Sequence, residues 1–163
     1  MFSFLKKTKL VKDPLKGIAK LMYDDVSDDA WDQENLTKRN LDFTIESIRY
    51  IDLYVNRLLT TEQGQALLNE HFDHLVSRIG AYIGEVIKSK IQEDFCWYEF
   101  HSVYQHSSNL AEEYRHTSPY TLLYSKKRDV VLSPLSEVAQ FLQGKSDYPD
   151  FLAFVEHMVK QHS

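Results

Sequence analysis

Three observations predict an α+β fold. Helical periodicity runs through residues 45–59 and 63–91, short aromatic and β-branched runs replace it after residue 92, and helical spacing returns from Ser133 onward. Blocks of helix, strand and helix lack the alternation that a parallel βαβ sheet needs. The expected architecture is two long antiparallel helices packed on a small antiparallel sheet, with two C-terminal helices. A chain of 163 residues with 43% apolar side chains can bury one core. We therefore expect a basic amphipathic arm and acidic linker over 1–41 and a single α+β domain over 42–163.

Each element has its own local warrant. Asp13-Pro14 reads as an N-cap followed by proline at the first helical position, where its missing N–H costs nothing. Leu15, Ile18 and Leu21/Met22 then repeat at helical spacing over about 14–23, with Gly17 as a weak point. Residues 24–41 are polar and without period, so they read as a linker in which Trp31 and Leu36 are the candidates to touch the body. Ile45, Ile48, Ile51, Val55, Leu58 and Leu59 share one helical stripe after a cap at Asp42 or Thr44. Thr60-Thr61-Glu62-Gln63-Gly64 interrupts it, and a second helix over about 63–91 carries Leu68, Phe72, Leu75, Ile79, Tyr82, Ile83 and Val86.

Phe95 to Phe100 is aromatic and short, which suits a strand, while 101–118 is polar and reads as a loop. Tyr120–Tyr124 and Asp129–Leu132, joined by Ser125-Lys126-Lys127-Arg128, form an expected hairpin. Ser133-Pro134 opens a helix that Gly144 closes, and residues 147–160 make the last one.

Charge is unevenly distributed. The net value is −5, yet residues 1–23 hold six lysines and one acid, a local +5 that leaves −10 on the remainder. Asp24, Asp25, Asp28, Asp29, Asp32 and Glu34 follow at once. The arm can lie on the chain's own acid, or make weak contact with an anionic surface. Net acidity argues against nucleic acid as a partner. The single Cys96 closes no internal disulfide, and no window reaches the ~20 apolar residues of a membrane-spanning helix. The apolar start, Met1 to Leu5, is too short for a secretory h-region, so a cytoplasmic protein is expected.

The chemistry-bearing residues gather on the 63–91 helix. His71, His74, Arg78 and Glu85 fall in one sector beside its apolar face, with Arg78 the nearest helical partner for a buried Glu85. Gly80 and Gly84 form a small-residue strip that signals close helix packing. His71-x-x-His74 and Glu113-x-x-His116 have spacings able to hold a metal from a helix face. The H-E-x-x-H spacing of zinc proteases is absent, as are the nucleophile elbow, P-loop and dinucleotide fingerprints. Catalytic residues stay unassigned and no cofactor is expected.

The segment Leu75-x3-Ile79-Gly80-Ala81-Tyr82-Ile83-Gly84-Glu85-Val86-Ile87, with Trp97 beyond it, resembles a helix-then-strand signature in a group of small uncharacterised bacterial α+β proteins. Leu132 to Val138, with Gly144, Asp147 and Phe151, is similar to the end of that pattern, so the likeness spans roughly 45–155. It implies the fold and transfers no activity. The leading functional expectation is a non-enzymatic protein-interaction module, inhibitor- or immunity-like, whose partner is another protein. The alternative is a metal-dependent or acid/base enzyme using the His/Glu face of the long helix.

Overall fold

Burial is heaviest around one long helix, and the other elements are arranged by how they cover it. The computed structural model describes residues 9–24, 41–107 and 120–163. Among these residues the chain forms α1 (Leu15–Asp24), α2 (Ile48–Thr60), α3 (Glu62–Lys90), β1 (Cys96–Tyr98), α4 (Phe100–His106), β2 (Leu122–Ser125), β3 (Val130–Leu132), α5 (Pro134–Leu142) and α6 (Phe151–His162). The class is α+β with a three-stranded antiparallel sheet in the order β1-β2-β3. Of the two expected long helices, α3 has 29 residues and α2 has 13. The acidic run over 25–34, with Trp31 and Leu36, lies outside the described residues.

Local chemistry sets the boundaries. Asp42 Oδ1 accepts from the Thr44 N–H at 3.2 Å and the Thr44 hydroxyl at 2.6 Å, so its role is an Asx turn ahead of α2. The turn between α2 and α3 needs a single residue. Thr61 is extended, with φ −110° and ψ 151°, and its Oγ1 accepts from the Gly64 N–H at 3.0 Å. A Cβ on Gly64 would lie 2.5 Å from the Arg57 carbonyl oxygen, so this sharp reversal requires glycine.

Helix α5 ends in a Schellman motif. Gly144, at φ +73°, donates to the Phe141 carbonyl at 3.0 Å and Lys145 to that of Gln140 at 2.8 Å. Helix α6 starts at Phe151, later than the sequence suggests. Pro149 disfavours helical backbone at Tyr148, and Asp150 caps the helix by accepting from the Ala153 N–H at 2.7 Å.

The residues following β1 correct one expectation. Phe100–His106 is helical, where the sequence suggested a strand up to Phe100 and loop beyond it. Phe100 and Val103 are buried there, three residues apart, so tertiary burial supports a helix too short to stand on propensity.

Strand alternation divides the sheet cleanly. Trp97, Leu123 and Leu132 are in register and join the main core with α3 and α5. Tyr98, Leu122 and Tyr124 point to the other face, where they form a smaller core with Phe100 and Val103 of α4, flanked by Cys96, Val131 and Leu10. The segment before α1 borders β1. Asp13 N–H donates to the Trp97 carbonyl at 3.1 Å, Glu99 N–H donates to that of Val11 at 2.8 Å, and Lys12 bridges Tyr98 antiparallel. The Asp13 carboxylate, read as a helix cap in the sequence, instead accepts from the Thr121 hydroxyl at 2.7 Å. Leu15, Ala19 and Met22 of α1 are buried in the same core as the elements after residue 41.

Candidate functional site

Helix α2 presents two apolar faces. Of the stripe that its periodicity predicts, Ile48, Ile51, Val55 and Leu58 are buried and Ile45 and Leu59 half-buried, and Tyr54 is buried beside them. On the solvent side Tyr50 is 40% and Leu53 54% exposed. Leu53 borders a cleft of about 510 Å³ between α2 and the start of α6, with Leu59, Phe141 and Leu152 supplying more apolar wall. Arg49, Asp52, Asn56 and Asp150 give it polar groups.

Asp52 holds this cleft together. Its Oδ1 accepts from the Phe151 N–H at 2.7 Å and its Oδ2 from the Leu152 N–H at 3.1 Å. Two carboxylates from different elements, Asp52 and Asp150, thus satisfy the first donors of α6. Burial pushes the Asp52 carboxyl up to about 6, against the two backbone hydrogen bonds, which lower it. Neither Asp52 nor Leu53 stands out in the sequence. The available signal was an apolar Tyr50/Leu53 pair lying off the buried stripe of its own helix.

The candidates on α3 divide between two places. His71 and His74 are exposed, and His71 interrupts the helix with φ −126° and ψ 31°. His71 Nε2 lies 3.8 Å from the Glu70 carboxylate, its sequence neighbour. Arg78 is buried and its Nη2 donates to Met22 Sδ at 3.6 Å. Glu85 does not pair with Arg78. It accepts from Trp97 Nε1 at 2.8 Å and pairs with Lys88 at 3.1 Å. Fourteen residues at 1.5 Å rise separate His71 from Glu85 by about 21 Å along the helix, so no single ligand is held by both. Glu113 and His116 lie outside the described residues. Among the described residues no three His, Cys, Asp or Glu side chains are grouped to hold a metal ion.

Gly80 and Gly84 face their neighbours at very short range. A Cβ on Gly80 would sit 2.8–2.9 Å from Leu135, backbone included, and one on Gly84 would overlap the Trp97 ring. Glu85 meanwhile fixes that ring through its N–H.

Three polar clusters escaped the sequence reading. Tyr82 OH accepts from the Phe43 N–H at 2.9 Å and shares a hydrogen with Ser47 Oγ at 2.8 Å, holding Phe43 at φ 60° with the two rings stacked 4.6 Å apart. Burial raises the Tyr82 phenol above its usual range. Asp129, at φ 51° in the β2–β3 turn, accepts from Tyr124 OH at 2.5 Å and Ser107 Oγ at 2.7 Å. Asp94 accepts from the Ser125 hydroxyl and from the Lys127 N–H, the latter at 3.2 Å. All three join segments distant in sequence or close a turn, and their geometry is that of structural ties.

No protein-family model, curated protein or solved structure matches this chain. No helix among the described residues is long and apolar enough to cross a membrane.

Proposed function

We propose that this protein is a non-enzymatic interaction module, inhibitor- or immunity-like in kind, that docks another protein at the cleft between α2 and α6. The observation supporting this reading is Leu53, a leucine more than half exposed at the edge of a cleft of about 510 Å³. Exposing it costs roughly 1–2 kcal/mol of unused burial, which a docked partner recovers. The cleft walls are held by α2 and by an α6 N-terminus tied through Asp52, so little ordering accompanies docking.

Photo-crosslinking from position 53, in the cell that makes the protein, tests the proposal. One protein should dominate the products from position 53, be much weaker from the exposed Gln161 on α6, and disappear when Leu53→Asp is assayed from a crosslinker at Tyr50. Indistinguishable products from positions 53 and 161, or a capture indifferent to Leu53→Asp in a folded variant, would overturn it.

A further inference from the structure

What can dock in the cleft between α2 and α6 is set first by its polar groups, which fall into two classes. Asp52 has both carboxylate oxygens committed to the Phe151 and Leu152 N–H groups, and Asp150 accepts from the Ala153 N–H. Both carboxylates face the positive end of α6, which offsets their charge locally. Arg49 and Asn56 remain. They stand seven residues apart on α2, about 10.5 Å along its axis, with Leu53 between them on the same face. Arg49 is exposed and forms no ion pair with a described residue. Asp52 is only three positions away, but it is turned towards α6. The charged group still open to a partner is therefore a cation, one turn from an exposed leucine.

The walls decide the backbone of the occupant. Among the described residues, those lining the cleft belong to α2, to the end of α5, or to the start of α6 and the turn before it, and none to a strand. An extended segment finds no strand edge to pair with here, because α2 is internally bonded and the first N–H groups of α6 are capped. Its own N–H and C=O groups would lie unpaired on Leu53, Leu59, Phe141 and Leu152. A helix satisfies its own backbone and offers the cleft side chains alone. Building on the docking reading above, we propose that the cleft takes an amphipathic helix of the partner protein, with an apolar anchor over Leu53 and an aspartate or glutamate one turn away on Arg49.

Mapping the crosslink formed from position 53 onto the captured protein, by mass spectrometry, supplies the probe: a synthetic peptide of the crosslinked segment. The peptide should gain helical circular dichroism when the full chain is added, and should carry Asp or Glu one helical turn from its crosslinked apolar residue. Arg49→Glu should weaken its binding about tenfold, whereas Arg49→Lys should keep most of it. The charge-matched Lys160→Glu, at an exposed position further along α6, should bind as the parent does. Reversing the peptide's acid to Arg should restore binding to the Arg49→Glu variant. Proline at the centre of the peptide should cost about 100-fold. A peptide that fails to bind or binds without gaining helix overturns the proposal, as do equal losses from Arg49→Glu and Lys160→Glu, or a crosslink to a second copy of this chain. If capture is still lost in Leu53→Asp, those outcomes leave the docking reading standing, and capture indifferent to Leu53→Asp overturns both.

Discussion

The two halves of α3 share one helix and almost nothing else. From Glu62 to His74 the only buried residue is Gly64, at the turn. From Leu75 to Ile87 every residue except Ser77 and Glu85 is buried. The first half is an amphipathic surface helix with Leu67, Leu68 and Phe72 half-buried. The second is covered all round, with α1, α2, α5 and the sheet each taking a side. A sector drawn on a helical wheel is therefore not a site. His71 and His74 belong to the surface half and Arg78 and Glu85 to the buried one, so residues sharing an angle meet different surroundings.

The comparison breaks most readily at Gly84. In an exposed helix Gly→Ala gains about 1 kcal/mol of helix propensity. At Gly84 the added methyl overlaps a Trp97 ring that Glu85 prevents from moving aside, so Gly84→Ala should destabilise the fold by about 2–3 kcal/mol. Urea unfolding measures this, and a neutral or stabilised variant would show that the buried half is looser than described. Glu85→Ala comes next, at about 1–2 kcal/mol, because it strands the indole N–H of a Trp97 that is nearly inaccessible to water.

The pH dependence assigned to Asp52 is smaller. Its carboxyl titrates higher in the fold than in the unfolded chain, so its contribution is fully present below the unfolded value near 3.8 and is lost as pH rises through about 6. Parent protein should gain stability relative to Asp52→Asn as pH falls from 7 to 5, by on the order of 1 kcal/mol after solvent screening. Thermal melts across that range would contradict the assignment if the two proteins kept parallel slopes. The smallest effects belong to the surface. Gly17→Ala on α1, with nothing within 4 Å of the new methyl, should stabilise by about 0.5 kcal/mol, opposite in sign to Gly84→Ala. His74→Ala should change stability by less than about 0.5 kcal/mol.

Periodicity and punctuation were readable wherever one element decides its own conformation. The buried stripe of α2, the extent of α3, the β2–β3 hairpin and the Gly144 terminus of α5 all follow from side-chain spacing and turn chemistry within about ten residues. Helix α4 was hidden because its stability comes from Phe100 and Val103 packing under the sheet, a contact between segments some twenty residues apart in sequence. Asp52 was hidden for a similar reason. A lone aspartate in an amphipathic helix reads as surface until the N-terminus of α6 is brought against it from 99 residues away.

Composition and local spacing were enough for the class, the positions of most elements, the basic N-terminal arm and the acidic balance of the rest. Tertiary structure alone decided which polar groups matter. It took Glu85 from a pairing with Arg78 to the Trp97 indole and Asp13 from a helix cap to Thr121, and it made Asp52 a cap for α6. A hydrogen bond requires two atoms within about 3 Å. Across gaps of 12 to 108 residues, only the packed core sets that distance.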